Sequence, residues 1–214
     1  MPGYTKVLNP GRLPHPQTWK RLIRMWGKVM NRYLIVECLQ RRDMASRDLP
    51  HWHIERSHTG FLATAVWEMG GIALEEYSTR RYSQSGTRKR RVIKPGRCDL
   101  YFNVGQLNVA IEAKHTWSLN EIGDRLREAK DQLKRLPSNE RADVGMQLCW
   151  LTPVLTRNLK KVNDFLKRIT KKFDNDQCMV AAYLIPERER TRCKGGQQYP
   201  GVIWIGRLQW PRKK

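Results

Sequence analysis

Two periods of apolar residues divide this chain into helices and strands. From Thr18 onward, Trp19, Leu22, Ile23, Trp26, Val29, Met30, Tyr33 and Val36 recur every three or four positions, which marks one apolar helix face. Basic side chains fill much of the remainder. A long amphipathic helix is therefore predicted to about residue 41, either a core helix with a solvated basic face or a DNA-contacting or dimerising element. Before it, residues 1–16 carry four prolines and two glycines and read as an irregular arm. Residues 42–53 form a connection, 54–69 a second helix ended by Gly70-Gly71, and 72–82 a first strand followed by a turn over 83–87. Ser118 as N-cap with Glu121 at N3 forms a capping box and opens a helix through Leu126, Ala129 and Leu133 to Pro137. Residues 144–151 read as a strand, 158–173 as an amphipathic helix with a lysine-rich outer face, 178–185 as a strand buried on both faces, and 202–208 as the last strand. A meander followed by strands alternating with helices predicts an α/β fold, with a mixed central β-sheet flanked by helices. It divides into an N-terminal arm and helical extension over 1–50 and an α/β domain over 51–214.

The most informative stretch is Arg97 to Lys114. It reads as two strands joined by the two-residue turn Gly105-Gln106, with glycine supplying the dihedral such loops need. Val104 then faces Leu107, Phe102 faces Val109, Leu100 faces Ile111 and Cys98 faces Ala113, an apolar face throughout. Strand residues alternate sides, so the other face pairs Asn103 with Asn108, Tyr101 with Ala110, and Asp99 with Glu112. Lys114 follows on the same side as Glu112.

That register sets two carboxylates against each other, which is destabilising unless something compensates. Hard oxygen ligands suit Mg²⁺, which is held by one or two carboxylates and keeps several waters, with Mn²⁺ as a substitute. Such a metal polarises a phosphodiester and lowers the pKa of a bound water, while the Lys114 ammonium orients that water or stabilises developing charge. An ordinary hairpin with a solvated polar face is the alternative.

Asp99, twelve intervening residues and then Glu112-Ala113-Lys114 on a second strand resemble the PD-(D/E)xK nuclease superfamily, over roughly residues 54–185. Cys98 stands where that family often has proline. The resemblance implies a restriction-endonuclease-like core, DNA as partner, Asp99 and Glu112 as metal ligands and Lys114 as a catalytic residue. It also implies an acidic residue on the helix before the first strand, for which Glu55 suits the inward-facing position better than Glu68, with Glu76 a weaker candidate. A glutamine on the following helix is a further family feature, and Gln132 matches it. His115 points with Ala113, away from Glu112, and stays outside the set.

Charge and composition then narrow the partners. The 214 residues hold 41 Lys and Arg against 20 Asp and Glu, a formal charge of +21, which is the footprint of a nucleic-acid binder. Eight basic residues and no acidic one lie between Arg80 and Arg97, beside the candidate site, where they suit phosphate contacts that set affinity without sequence preference. Five cysteines show no metal-ligand spacing, and Cys98, Cys149 and Cys178 sit in apolar runs as buried thiols. His51, His53 and His58 match no common zinc spacing and read as loop and helix-start residues. The first residues have no apolar signal region and no apolar run approaches a membrane span, so the expected setting is cytoplasmic.

Two function classes follow. One is a Mg²⁺-dependent DNA endonuclease. The other is a non-catalytic DNA- or RNA-binding protein using the same basic surfaces, which gains nothing from opposed carboxylates. Cutting both strands usually takes two sites, which makes a homodimer a candidate assembly, although no heptad marks an interface.

Overall fold

Turn chemistry sets the register at the centre of the molecule. Gly105 takes a φ of +58°, and the flanking strands pair Val104 with Leu107, Phe102 with Val109 and Leu100 with Ile111, as the alternating pattern predicts. The computed structural model describes residues 4–9, 14–40, 55–85, 90–136, 142–153, 155–156, 159–173, 178–185, 197–198 and 201–209. The expected connection over 42–53, with His51 and His53, and the tip of the basic hairpin over 86–89 lie outside them.

In chain order the elements are β1 (Tyr4–Asn9), α1 (Pro16–Gln40), α2 (Glu55–Glu68), β2 (Ile72–Ser85), β3 (Arg90–Val104), β4 (Leu107–Thr116), α3 (Ile122–Lys134), β5 (Val144–Leu151), β6 (Leu155–Thr156), α4 (Leu159–Phe173), β7 (Cys178–Leu184), β8 (Gln197–Gln198) and β9 (Gly201–Gln209). Among the described residues, seven strands form one mixed sheet in the order β1-β7-β9-β5-β4-β3-β2, and β6 pairs with β8 apart from it. Only β4 and β5 run parallel in that sheet, joined through α3.

Alternation sorts the sheet residues into two layers. Met146, Leu148 and Trp150 of β5 join the α1 and α2 side chains in the larger core, whereas Cys149 and Leu151 join Ile122 and Leu126 of α3 and Leu166 and Ile169 of α4. The protein is thus α/β, a mixed sheet with helices on both faces. All seven residues of β7 are buried, as the continuous apolar run implies. Trp19, Leu22, Ile23 and Trp26 of α1 are buried to 1% or less, so this helix is a core element. Cys98, Cys149 and Cys178 are buried free thiols. Among the described residues no helix is long and apolar enough to cross a membrane.

Two local expectations are corrected. The first residues are not wholly irregular, because Tyr4–Asn9 pairs antiparallel with β7. That segment lies between Pro2 and Pro10, so every residue in it keeps its N–H for the edge that β7 offers. The capping box at Ser118 does not form. Glu121 itself occupies the N-cap position without a side-chain cap bond. Its Oε2 instead accepts from the Thr116 hydroxyl at 2.7 Å, which holds the carboxylate back on the end of β4.

Candidate active site

At Asp99 the hairpin ladder stops. The alternating pattern places Asp99 opposite Glu112 and Cys98 opposite Ala113, and the structure departs from both, since the paired residues of β3 and β4 end at Leu100 and Ile111. Side chains take up the backbone groups that a continued ladder would use. Asp99 Oδ2 accepts from the Ala113 N–H at 2.8 Å, and the Cys98 thiol donates to the Ile111 carbonyl at 3.2 Å. Cys98 accordingly packs with Tyr77, Tyr101 and Ala110, whereas Leu100 and Ala113 stay in the larger core. On the other side of Asp99, the β2–β3 pairing passes from Glu75–Leu100 to Tyr77–Cys98 and skips Glu76, which has a φ of +45°, a left-handed conformation uncommon for a side-chain-bearing residue. Ion pairs from Glu76 to Arg56 and Arg97, each 3.0 Å, hold it there.

The gap left by this parting gathers charge. Lys114 Nζ lies 3.6 Å from Glu55 Oε1 and 3.9 Å from Asp99 Oδ2, and it donates to the Ala113 carbonyl at 2.6 Å. Glu55 comes from the first turn of α2, so that helix delivers an acid to the end of β4. Glu112 is 1% exposed and its Oε1 meets Arg81 Nη2 at 2.5 Å, while the Glu55 and Asp99 side chains keep 29% and 27% exposure. Solvent or substrate therefore reaches Glu55, Asp99 and Lys114, with Glu112 behind them.

Burial pushes both glutamates up. Glu55 rises from its ordinary 4.5 to about 7, with Lys114 opposing the rise and Asp99 adding to it. Glu112 also rises to about 7, where Asp99 adds to the effect of burial and Arg81 opposes it. Burial likewise drives the Cys98 thiol to about 12, which keeps it protonated and inert.

The donor set fits a hard divalent cation. Asp99 raises the cost of ionising Glu112, and Mg²⁺ takes one or two carboxylates with its remaining positions filled by water. Among the described residues, no group of three or more His, Cys, Asp or Glu side chains forms a metal cage, so any such ion would rest on the carboxylate pair.

The other sequence candidates separate. Glu68 pairs with Arg32 at 2.7 Å, and Glu76 is spent on its two arginines. Gln132 is half-buried on α3, its Oε1 buried without a hydrogen-bond partner among the described residues, so no hydrogen bond from that oxygen ties it to Lys114. One turn earlier, Glu128 comes near enough to raise Glu55 and is held by Arg125 at 3.2 Å. His115 bonds the Thr152 hydroxyl at 3.1 Å and stacks on His58 at 5.8 Å, away from Glu112. Sequence reasoning missed Glu128 and the role of Arg81. Glu128 has a faint signal, lying one helical turn before Gln132. Arg81 has none of its own beyond the basic run it belongs to.

The molecule is thus a three-layer α/β protein with a carboxylate–lysine cluster where two central strands part. No protein-family model, no curated protein and no solved structure matches the chain.

The raised Glu55 has a measurable consequence. The folded state holds this proton more tightly than the unfolded chain, so the contribution to stability falls as pH rises from 4.5 to about 7 and the penalty is complete above that. Glu55→Gln should flatten the pH dependence of stability across that window, read by urea denaturation at each pH. An unchanged slope would show that Glu55 titrates normally.

Proposed function

We propose that the protein is a metal-dependent DNA endonuclease with a PD-(D/E)xK-type site on a restriction-endonuclease-like core. One observation carries this reading: Glu55 and Asp99 converge on the Lys114 ammonium, two positions along β4 from buried Glu112. A pure phosphate binder has no use for three carboxylates gathered in a gap between strands. A divalent cation held by Asp99 and Glu112 would polarise the phosphodiester and acidify a bound water. Asp99 is fixed for that role by the Ala113 N–H. Lys114, anchored on the Ala113 carbonyl, presents its charge to the attacking oxygen or to the phosphorane. Glu55, with its proton affinity raised, is suited to accept a proton from the attacking water.

Basic surfaces hold the backbone. Arg80, Lys94 and Arg97 are exposed along the β2–β3 ribbon. On the far edge of the sheet, Lys6 of β1 and Lys167 and Lys171 of α4 line a groove of about 710 Å³.

A specific feature favours a second reading, a non-catalytic nucleic-acid-binding protein: Glu112 is already neutralised by Arg81. Incubating supercoiled, linear, single-stranded and four-way-junction DNA with Mg²⁺, Mn²⁺ or EDTA separates the two. Metal-dependent cutting is the expected result, and the preferred substrate would name the subclass. Binding that survives EDTA with no cutting of any substrate would leave the second reading.

A further inference from the structure

Arg81 reaches Glu112 by an unusual route. It belongs to β2, where it pairs in register with Lys94 of β3, yet its guanidinium ends on a carboxylate of β4. The passage is Gly96. A Cβ at that position would lie 2.5 Å from Arg81 Cγ and Cδ and 2.7 Å from its Nε, so the stem lies directly over the glycine and crosses β3 where β3 has parted from β4. The guanidinium forms an ion pair with Glu112, and the Arg81 side chain keeps 18% exposure. It is thus linked both to the deepest acid of the site and to the solvent-facing basic ribbon.

Charge balance sharpens the point. Glu55, Asp99 and Glu112 face two cations, Arg81 and Lys114. A divalent ion joining all five would leave the gap positive, whereas its arrival with departure of Arg81 leaves the gap neutral. Guanidinium groups bind carboxylates and phosphates through the same planar fork, so Arg81 can exchange one anion for the other at little cost.

We propose that Arg81 is an internal counter-ion that occupies Glu112 in the free protein and passes to a backbone phosphate when nucleic acid lies along the β2–β3 ribbon, so that metal affinity rises on nucleic-acid binding. This rests on the metal-site reading above. It makes the site self-blocking until a polyanion is present, and it assigns to Gly96 the task of keeping the crossing open.

The test is Mn²⁺ binding, read from the electron-spin-resonance signal of the free ion, with the full chain alone and with an uncleavable phosphorothioate duplex. Glu112→Gln protein with the same duplex gives the background of Mn²⁺ on DNA. Without duplex, Arg81→Gln should bind Mn²⁺ about tenfold more tightly than wild type, an ordinary size for coupling between two bound species. With duplex, wild type should rise to match it. Gly96→Ala keeps both charges but displaces the arginine stem, and should shift affinity in the same direction, so it carries the test if Arg81→Gln does not fold. Equal or weaker Mn²⁺ binding in the Arg81 and Gly96 variants, with binding still lost in Glu112→Gln, would overturn the proposal and leave the metal site standing. A duplex without effect on wild type would overturn the hand-over. Mn²⁺ binding indifferent to Glu112→Gln, or absent throughout, would remove the metal site and the proposal together.

Discussion

Lys114→Ala should lower DNA cleavage by on the order of a hundred- to a thousandfold, the usual cost of deleting one preorganised donor to a developing charge, and leave DNA affinity nearly unchanged. The split follows from where the lysine sits. It is one of 41 basic residues, and affinity for a polyanion is shared among many phosphate contacts. The reaction, by contrast, sees a single ammonium, fixed by the Ala113 carbonyl at 2.6 Å and flanked by Glu55 and Asp99. Lys114→Arg should not restore the rate, because a planar guanidinium cannot occupy the point position of an ammonium on that carbonyl. Single-turnover cleavage alongside binding to uncut DNA checks the prediction. Full activity in the alanine variant would end the proposed mechanism.

The second large effect is on stability. Trp26 of α1 is fully buried, with its ring 5.9 Å from Trp150, 6.2 Å from Tyr183 and 6.1 Å from Trp204. One side chain therefore ties α1 to β5, β7 and β9. Trp26→Ala should cost about 3–5 kcal/mol, the range for deleting a large aromatic from a core, and leave a protein near the edge of folding, since a whole domain is stable by only about 5–15 kcal/mol. Trp26→Phe should cost less. It preserves most of the ring volume and removes an indole N–H that is buried without a hydrogen-bond partner among the described residues, a group that is expensive to leave unsatisfied. Urea denaturation of both variants distinguishes these outcomes. Equal midpoints for wild type and Trp26→Ala would show that α1 is not needed to hold the core.

What could be read from residues alone was whatever local alternation controls. The pairs from Leu100–Ile111 to Val104–Leu107 followed from one glycine turn and an unbroken apolar face, and the buried run of β7 was legible from composition. The break at Asp99 was not, because the alternation continues straight through it. Only the side-chain bonds of Asp99 and Cys98 to the neighbouring strand end the ladder, and those are tertiary. The same holds for Arg81, whose partner lies 31 positions away and whose path depends on Gly96. At Ser118 the residue types for a cap were present, but Thr116 drew Glu121 elsewhere. Glu55 could be preferred over Glu68 by helix position, and its approach to Lys114 is the feature that the three-dimensional arrangement adds.

The pairing of Tyr4 with Leu184 also governs how the molecule comes to be assembled. At about 5–20 residues per second of synthesis, β1 leaves the ribosome roughly 10–40 s before the strand it must join. Trp19 and Trp26 of α1 wait as well, since Trp204 of β9 lies against both. A nascent chain therefore carries a naked strand and an oily helix until β7 and β9 have emerged. Closing such sequence-distant contacts is slow. The early segments are therefore the part of the newborn protein most in need of a chaperone.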